Sequence, residues 1–368
     1  MNKALKESLI QFVLAMIISW LILFLVPAKA FFTIYFPSSF IWLFLLVGFS
    51  VIARGWPMVP PEGSWKPGKS KLNAGLTQTF LTIVLTIIGV LFITKAWPAI
   101  PLFPLMLYFG ALLFGTTLWY AFIWRGYPVA GKSGKANFFI GAAIIIILDI
   151  FVWSTMINFS GTPWENAAFN PNGIFQCDFL LGFALWSIVW IFIFGNSMQG
   201  YPFYKIPEPL AQMIQTIAIT ILAYFCWTVS LKFLDPTFSW AAIGGGIISW
   251  SFFHSAFFGF FPNEKYIQPK RGIYNLIIVA IMVAIWIPLG RVILAPILAK
   301  ASLAGIPFDL SVMTLIYSLH LIAVLLTVHT FFLFKYPFSI PRPPIGPEEI
   351  LTSGYKQVIT ANQENQNI

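Results

Sequence analysis

Arg125-Gly126-Tyr127-Pro128 closes an apolar run that begins near residue 102, and variants of the same closure recur along the chain. They are Arg54-Gly55-Trp56-Pro57, Gln199-Gly200-Tyr201-Pro202, Gly259-Phe260-Phe261-Pro262 and Phe334-Lys335-Tyr336-Pro337, each at the end of a hydrophobic stretch. The residue types have a common physical reading. Glycine ends a helix by allowing a left-handed cap, the aromatic ring suits the level of lipid headgroups, and proline forbids continuation. The turn residues singled out are Gly55, Trp56 and Pro57, Gly126, Tyr127 and Pro128, Gly200, Tyr201 and Pro202, Phe261 and Pro262, and Tyr336 and Pro337.

Working outward from these closures, hydropathy and breakers predict ten helices near 10–26, 31–53, 76–94, 102–124, 138–157, 174–197, 210–231, 238–261, 273–294 and 310–334. Each motif follows an even-numbered helix, and a proline lies near the start of each (Pro37, Pro104, Pro171, Pro236, Pro307). The expected fold is therefore an all-α polytopic membrane protein built of five tandem helical hairpins, about 8–57, 76–128, 138–202, 209–262 and 273–337. They make a single transmembrane domain over 1–346, followed by a polar tail at 347–368 that reads as disordered. All five would share one orientation, unlike the inverted repeats of many secondary transporters. The second helix leaves two options open: it starts before Pro37 and kinks there, or it spans at a thin point.

Composition agrees with the membrane reading. Hydrophobic residues make up 59% of the 368, charged residues 9%, and the mean hydropathy is +0.84. A soluble domain carries roughly 25% charged residues. The apolar runs are continuous, which argues against a transmembrane barrel with its alternating strands. The net charge of +9 lies in short clusters between apolar runs, so it speaks of topology and not of nucleic acid. Sixteen of the 21 lysines and arginines fall at the termini and in the loops after even helices. Lys29, Lys95, Lys232, Arg291 and Lys300 fall on the other side. By the positive-inside rule both termini are cytoplasmic, in the cytoplasmic membrane of a bacterium or archaeon. Residues around Lys3, Lys6 and Ala28-Lys29-Ala30 also resemble a signal peptide with its cleavage site, although the run from Leu9 to Val26 is long for a signal core.

Ionisable groups at membrane depth are functional candidates by default, because each costs several kcal/mol to insert. They are Asp149 on the fifth helix, His254 on the eighth, Arg291 on the ninth, and His320 and His329 on the tenth. His254 and His329 each stand eight residues before a motif proline, so they are expected at equivalent depth. Three readings of the histidines compete: hydrogen-bonded glue between helices, titrating groups of a substrate or proton pathway, and a bis-histidine haem b held by His254 and His329. Gly244, Gly245, Gly246, Pro288 and Gly290 are candidate helix breaks, which at membrane depth can line a cavity. The 39 Phe, 15 Trp and 12 Tyr supply an interfacial belt and the material for an aromatic cage around an organic cation.

Neither Cys177 nor Cys226 has metal-binding spacing, and no phosphate loop, nucleophile elbow or other catalytic motif occurs. The expectation is a permease for a small organic solute, needing no cofactor, with its pathway between hairpins. The alternative is a non-transporting membrane subunit that binds haem or quinone, or anchors a partner protein at the cytoplasmic turns.

Overall fold

The computed structural model describes residues 3–58, 69–165, 172–303, 310–333 and 335–338. Pro171, Pro307, Phe334 and the polar tail lie outside these residues. Nine helices among the described residues are long and apolar enough to cross a membrane, as an integral membrane protein requires. They are α1 (Lys3–Leu25), α2 (Ala28–Ile52), α3 (Lys69–Ala96), α4 (Leu102–Ile123), α5 (Gly134–Thr155), α6 (Cys177–Ser197), α7 (Leu210–Ser230), α9 (Lys270–Leu303) and α10 (Leu310–Phe332). The remaining expected helix, α8 (238–256), is helical but is not among the nine, because its glycines, serines and His254 dilute its apolar content. Protein covers almost all of it, so it needs little compatibility with lipid.

Burial sorts the helices into two layers. The spans of α3, α5, α7 and α9 are each 22% buried and that of α1 is 33% buried, against 56% to 78% for α2, α4, α6 and α10. The well-buried helices and α8 form a closed inner ring in which α2 packs on α4, α4 on α6, α6 on α8, α8 on α10 and α10 again on α2. Trp42 Nε1 on α2 donates to the Ala323 carbonyl on α10 at 2.9 Å across that last seam. The less buried helices sit outside, in the grooves of this ring. Thus α3 touches α2 and α10, α5 touches α4 and α2, and α7 touches α6 and α4.

The buried stripes of the outer helices carry polar residues among the apolar ones, while large aliphatics face outward. On α5 the stripe reads Asn137, Gly141, Ile145, Asp149 and Trp153, at steps of four residues, while Phe139, Ile147 and Phe151 face outward. On α3 it includes Gln78, Thr82 and Thr86. Lipid tails are as apolar as leucine, so helices associate through small residues that pack closely and polar residues that find partners, and large aliphatics are left to the lipid.

Every inner helix contains a π-wound segment, and no outer helix does among the described residues. In α2 the wide turn at Phe31–Tyr35 runs directly into Pro37, whose missing N–H falls where the helix changes winding. The second helix therefore starts before that proline. The proposed breaks elsewhere do not interrupt their helices: the π-wound Phe238–Gly244 passes directly into Gly245–Ala256, and α9 continues through Pro288 and Gly290.

All five motif turns share one backbone geometry. A main-chain N–H reaches back six residues to a carbonyl at 2.6 to 3.2 Å, from Gly55 to Phe49, Gly126 to Tyr120, Gly200 to Phe194, Phe260 to His254 and Lys335 to His329. These donors have φ of 86°, 78°, 87°, 64° and 62°, and the aromatic–proline bond that follows is cis in each turn. The six-residue bond satisfies carbonyls that a helix end would leave bare. Gly126→Ala is expected to lower stability by about 1–2 kcal/mol through left-handed strain alone, because a Cβ there meets nothing closer than 3.7 Å. Thermal unfolding in detergent checks this, with Gly131→Ala, which has open space and no positive φ, as the silent control.

Candidate functional site

The axis of the inner ring holds a small cavity to which all five inner helices contribute, including Phe40 of α2, Ala111 of α4, Leu185 of α6, Ser249 of α8 and Leu315 of α10. The space open to a water centre is about 10 Å³, the least that one water needs. Ser249 turns its hydroxyl to its own helix, donating to the Gly245 carbonyl at 2.6 Å, so the wall is apolar. An apolar space of this size stays dry.

None of Asp149, His254, Arg291, His320 and His329 lines that cavity; Asp149, His254 and His320 are buried elsewhere, His329 is half-buried and Arg291 is exposed. His320 is fully buried between α10, α2 and α1. Its Nδ1 is 2.9 Å from the Tyr35 hydroxyl and its Nε2 is 3.3 Å from the Ser19 carbonyl. A carbonyl only accepts, so Nε2 carries a proton, and in the neutral ring Nδ1 then accepts from the Tyr35 hydroxyl. His254 Nε2 donates to the Phe261 carbonyl at 2.9 Å and so braces its own turn. His329 Nε2 lies 2.7 Å from Gln11 Oε1 on α1. His254 and His329 occupy equivalent backbone positions, each accepting the six-residue bond of its turn, but their rings engage different partners.

Arg291 lies at the end of the bundle away from the turns, with its guanidinium carbon 5.4 Å from the Phe238 ring centroid. Asp149, 0% exposed, faces Thr116 of α4 at 2.6 Å through Oδ1, and its Oδ2 has no hydrogen-bond partner. The candidate glycines act in packing: Gly245 lies against Leu315, Gly246 against Val283 and Gly290 against Thr314. Among the described residues no group of three or more His, Cys, Asp or Glu could hold a metal.

A search of the sequence confined to ionisable residues misses a recurring feature. Every outer helix buries a carboxamide in its half nearer the turns: Gln11, Gln78, Asn137, Gln212 with Gln215, and Asn275. Asn275 and Asn263 bond each other at 3.1 Å, whereas both amide atoms of Gln78 lack partners. The signal was present in the sequence as isolated amides early in otherwise apolar helices. A second unforeseen contact is a buried guanidinium: Arg271 donates to the Tyr266 and Glu264 carbonyls and to Gln199 Oε1, tying the third turn to the start of α9.

Comparison with protein families, with curated proteins and with solved structures finds no match to this chain.

Proposed function

We propose that the chain is a permease for a small, uncharged organic solute, with its pathway along the axis of the inner ring. In this reading ten helices form five tandem hairpins in the cytoplasmic membrane, with the five turns and both termini on the cytoplasmic side. The sixteen-to-five charge split and the common geometry of the five turns support that arrangement. The observation that carries the function is the axial cavity, walled by side chains from every inner helix and closed by hydrophobic contact. Hydrophobic constrictions gate by excluding water, and the π-wound segments found in each inner helix are frequent at functional sites. An apolar wall favours a solute without net charge.

Uptake of small uncharged solutes into proteoliposomes tests the reading. Ala111→Trp, which fills the axis, is expected to cut uptake by roughly tenfold or more, a change that needs only about 1.4 kcal/mol on the barrier. Leu315→Ala is expected to raise it. Uptake indifferent to Ala111→Trp would move the path off the axis. No uptake of any such solute by the unaltered protein would instead favour a non-transporting membrane subunit.

A further inference from the structure

We propose that Asp149 and Thr116 form a proton-binding site, occupied in this conformation, which couples solute movement to protons. The coupling rests on the permease reading; the protonated site does not. Thr116 Oγ1 lies 2.9 Å from the Leu112 carbonyl and 2.6 Å from Asp149 Oδ1. A hydroxyl has one proton and two lone pairs. The carbonyl can only accept, so Thr116 satisfies both contacts at once when its proton goes to Leu112 and Asp149 supplies the other. At 2.6 Å the second contact is of normal length for an O–H···O bond. The carboxyl is then a neutral acid that donates from Oδ1, and Oδ2 is its uncharged carbonyl oxygen, which explains why Oδ2 can lie buried without a donor.

Among the described residues, Thr116 is the only side chain that bonds to Asp149. Asp149 meets α4 through Thr116, and the end of α2 packs lower on α5, where Gly48 faces Phe138 and Ile52 faces Gly141. The titratable groups on α4 are Tyr108 and Tyr120, and their hydroxyls donate elsewhere, to Asp178 and to the Gly126 carbonyl. The 48–52 segment of α2 has no titratable side chain, and Arg54 lies beyond it in the turn. On α5 itself Lys135 is fourteen residues away, about 21 Å along the axis. Lys95, at the end of α3 beside Trp97, is exposed. Glu165, in the loop beyond α5, accepts from the Gly161 N–H. An isolated buried carboxylate takes a proton in preference to remaining charged.

Asp149 sits in the seam between an outer and an inner helix, so opening the α4–α5 contact would bring water to it. The O–H bond then breaks with water as the proton acceptor, leaving a carboxylate that must be reprotonated before the seam can close. That cycle makes closure of the α4–α5 seam conditional on one bound proton.

Infrared spectroscopy of the full protein in lipid tests the site. At neutral pH a protonated-carboxyl carbonyl band is expected, absent in Asp149→Asn and shifted to higher frequency in Thr116→Val, which removes the hydrogen-bond partner. If Asp149→Asn fails to fold, carbon-13 labelling of the aspartate carboxyls in the unaltered chain should shift the same band. Absence of the band, or a band insensitive to both substitutions or to the aspartate label, would overturn the site whatever the protein transports. An inward proton gradient is expected to accelerate solute uptake by the unaltered protein and to have no effect on Asp149→Asn. With the band present, uptake by the unaltered protein that ignores the gradient would overturn the coupling and leave the permease standing.

Discussion

Gly182→Ala is expected to lower the thermal unfolding midpoint in detergent by several degrees, the product of about 1–3 kcal/mol of overpacking. A Cβ at this position of α6 would stand 2.2 Å from Trp227 Cζ2 and 2.4 Å from its Cε2. The indole belongs to α7, is 2% exposed, and packs against Phe179 at 6.2 Å between ring centroids. It has nowhere to withdraw, so α6 and α7 must separate. Because the cost is steric strain, it persists in lipid as it would in water. Reducing the obstacle should restore what the methyl removed: Gly182→Ala with Trp227→Leu is expected to be more stable than the sum of the two single effects, by about 0.5–3 kcal/mol. Strict additivity would show that the clash is not the cause.

Trp286→Ala tests the opposite failure, a cavity in the seam where α9 meets α8 and α10. The ring is 2% exposed, stacks on Tyr317 at 5.8 Å and 16°, meets Trp250 edge-on at 5.7 Å, and donates from Nε1 to Ser318 Oγ at 3.2 Å. In soluble cores such a truncation costs about 3–5 kcal/mol, the sum of a transfer part and a cavity part. Here the unfolded reference is a helix in lipid, so the transfer part largely falls away while the lost dispersion contacts remain. The expected loss is therefore below the soluble range, and Trp286→Phe, which keeps most of the contact area, should cost less than Trp286→Ala. Equal losses would mean that the hydrogen bond to Ser318 outweighs the packing.

The membrane class was legible because hydropathy is a local property: a spanning helix must satisfy its backbone within one segment, so its sequence announces it. The turn motif was legible for a similar reason. Glycine, an aromatic and proline each act within a few residues, and the structure gives the five turns one hydrogen-bond pattern even where the fourth and fifth put Phe260 and Lys335 in the left-handed position. The candidate site was legible only as a list of residues. Asp149 stood out as an acid in an apolar run, but Thr116, whose hydroxyl meets it at 2.6 Å, is one hydroxyl among many on another helix.

What the sequence determined by itself was the set of local elements: long apolar helices, their ends, and the position of each polar residue along them. Only the tertiary structure decided which helices form the inner ring and which face lipid, because the spans of α9 and α10 are both strongly hydropathic yet 22% and 78% buried. In water, polarity marks the exposed face of a helix. In lipid both environments are apolar, so the inner position is set by small residues, polar partners and fit between helices, and these depend on what the neighbouring helix presents.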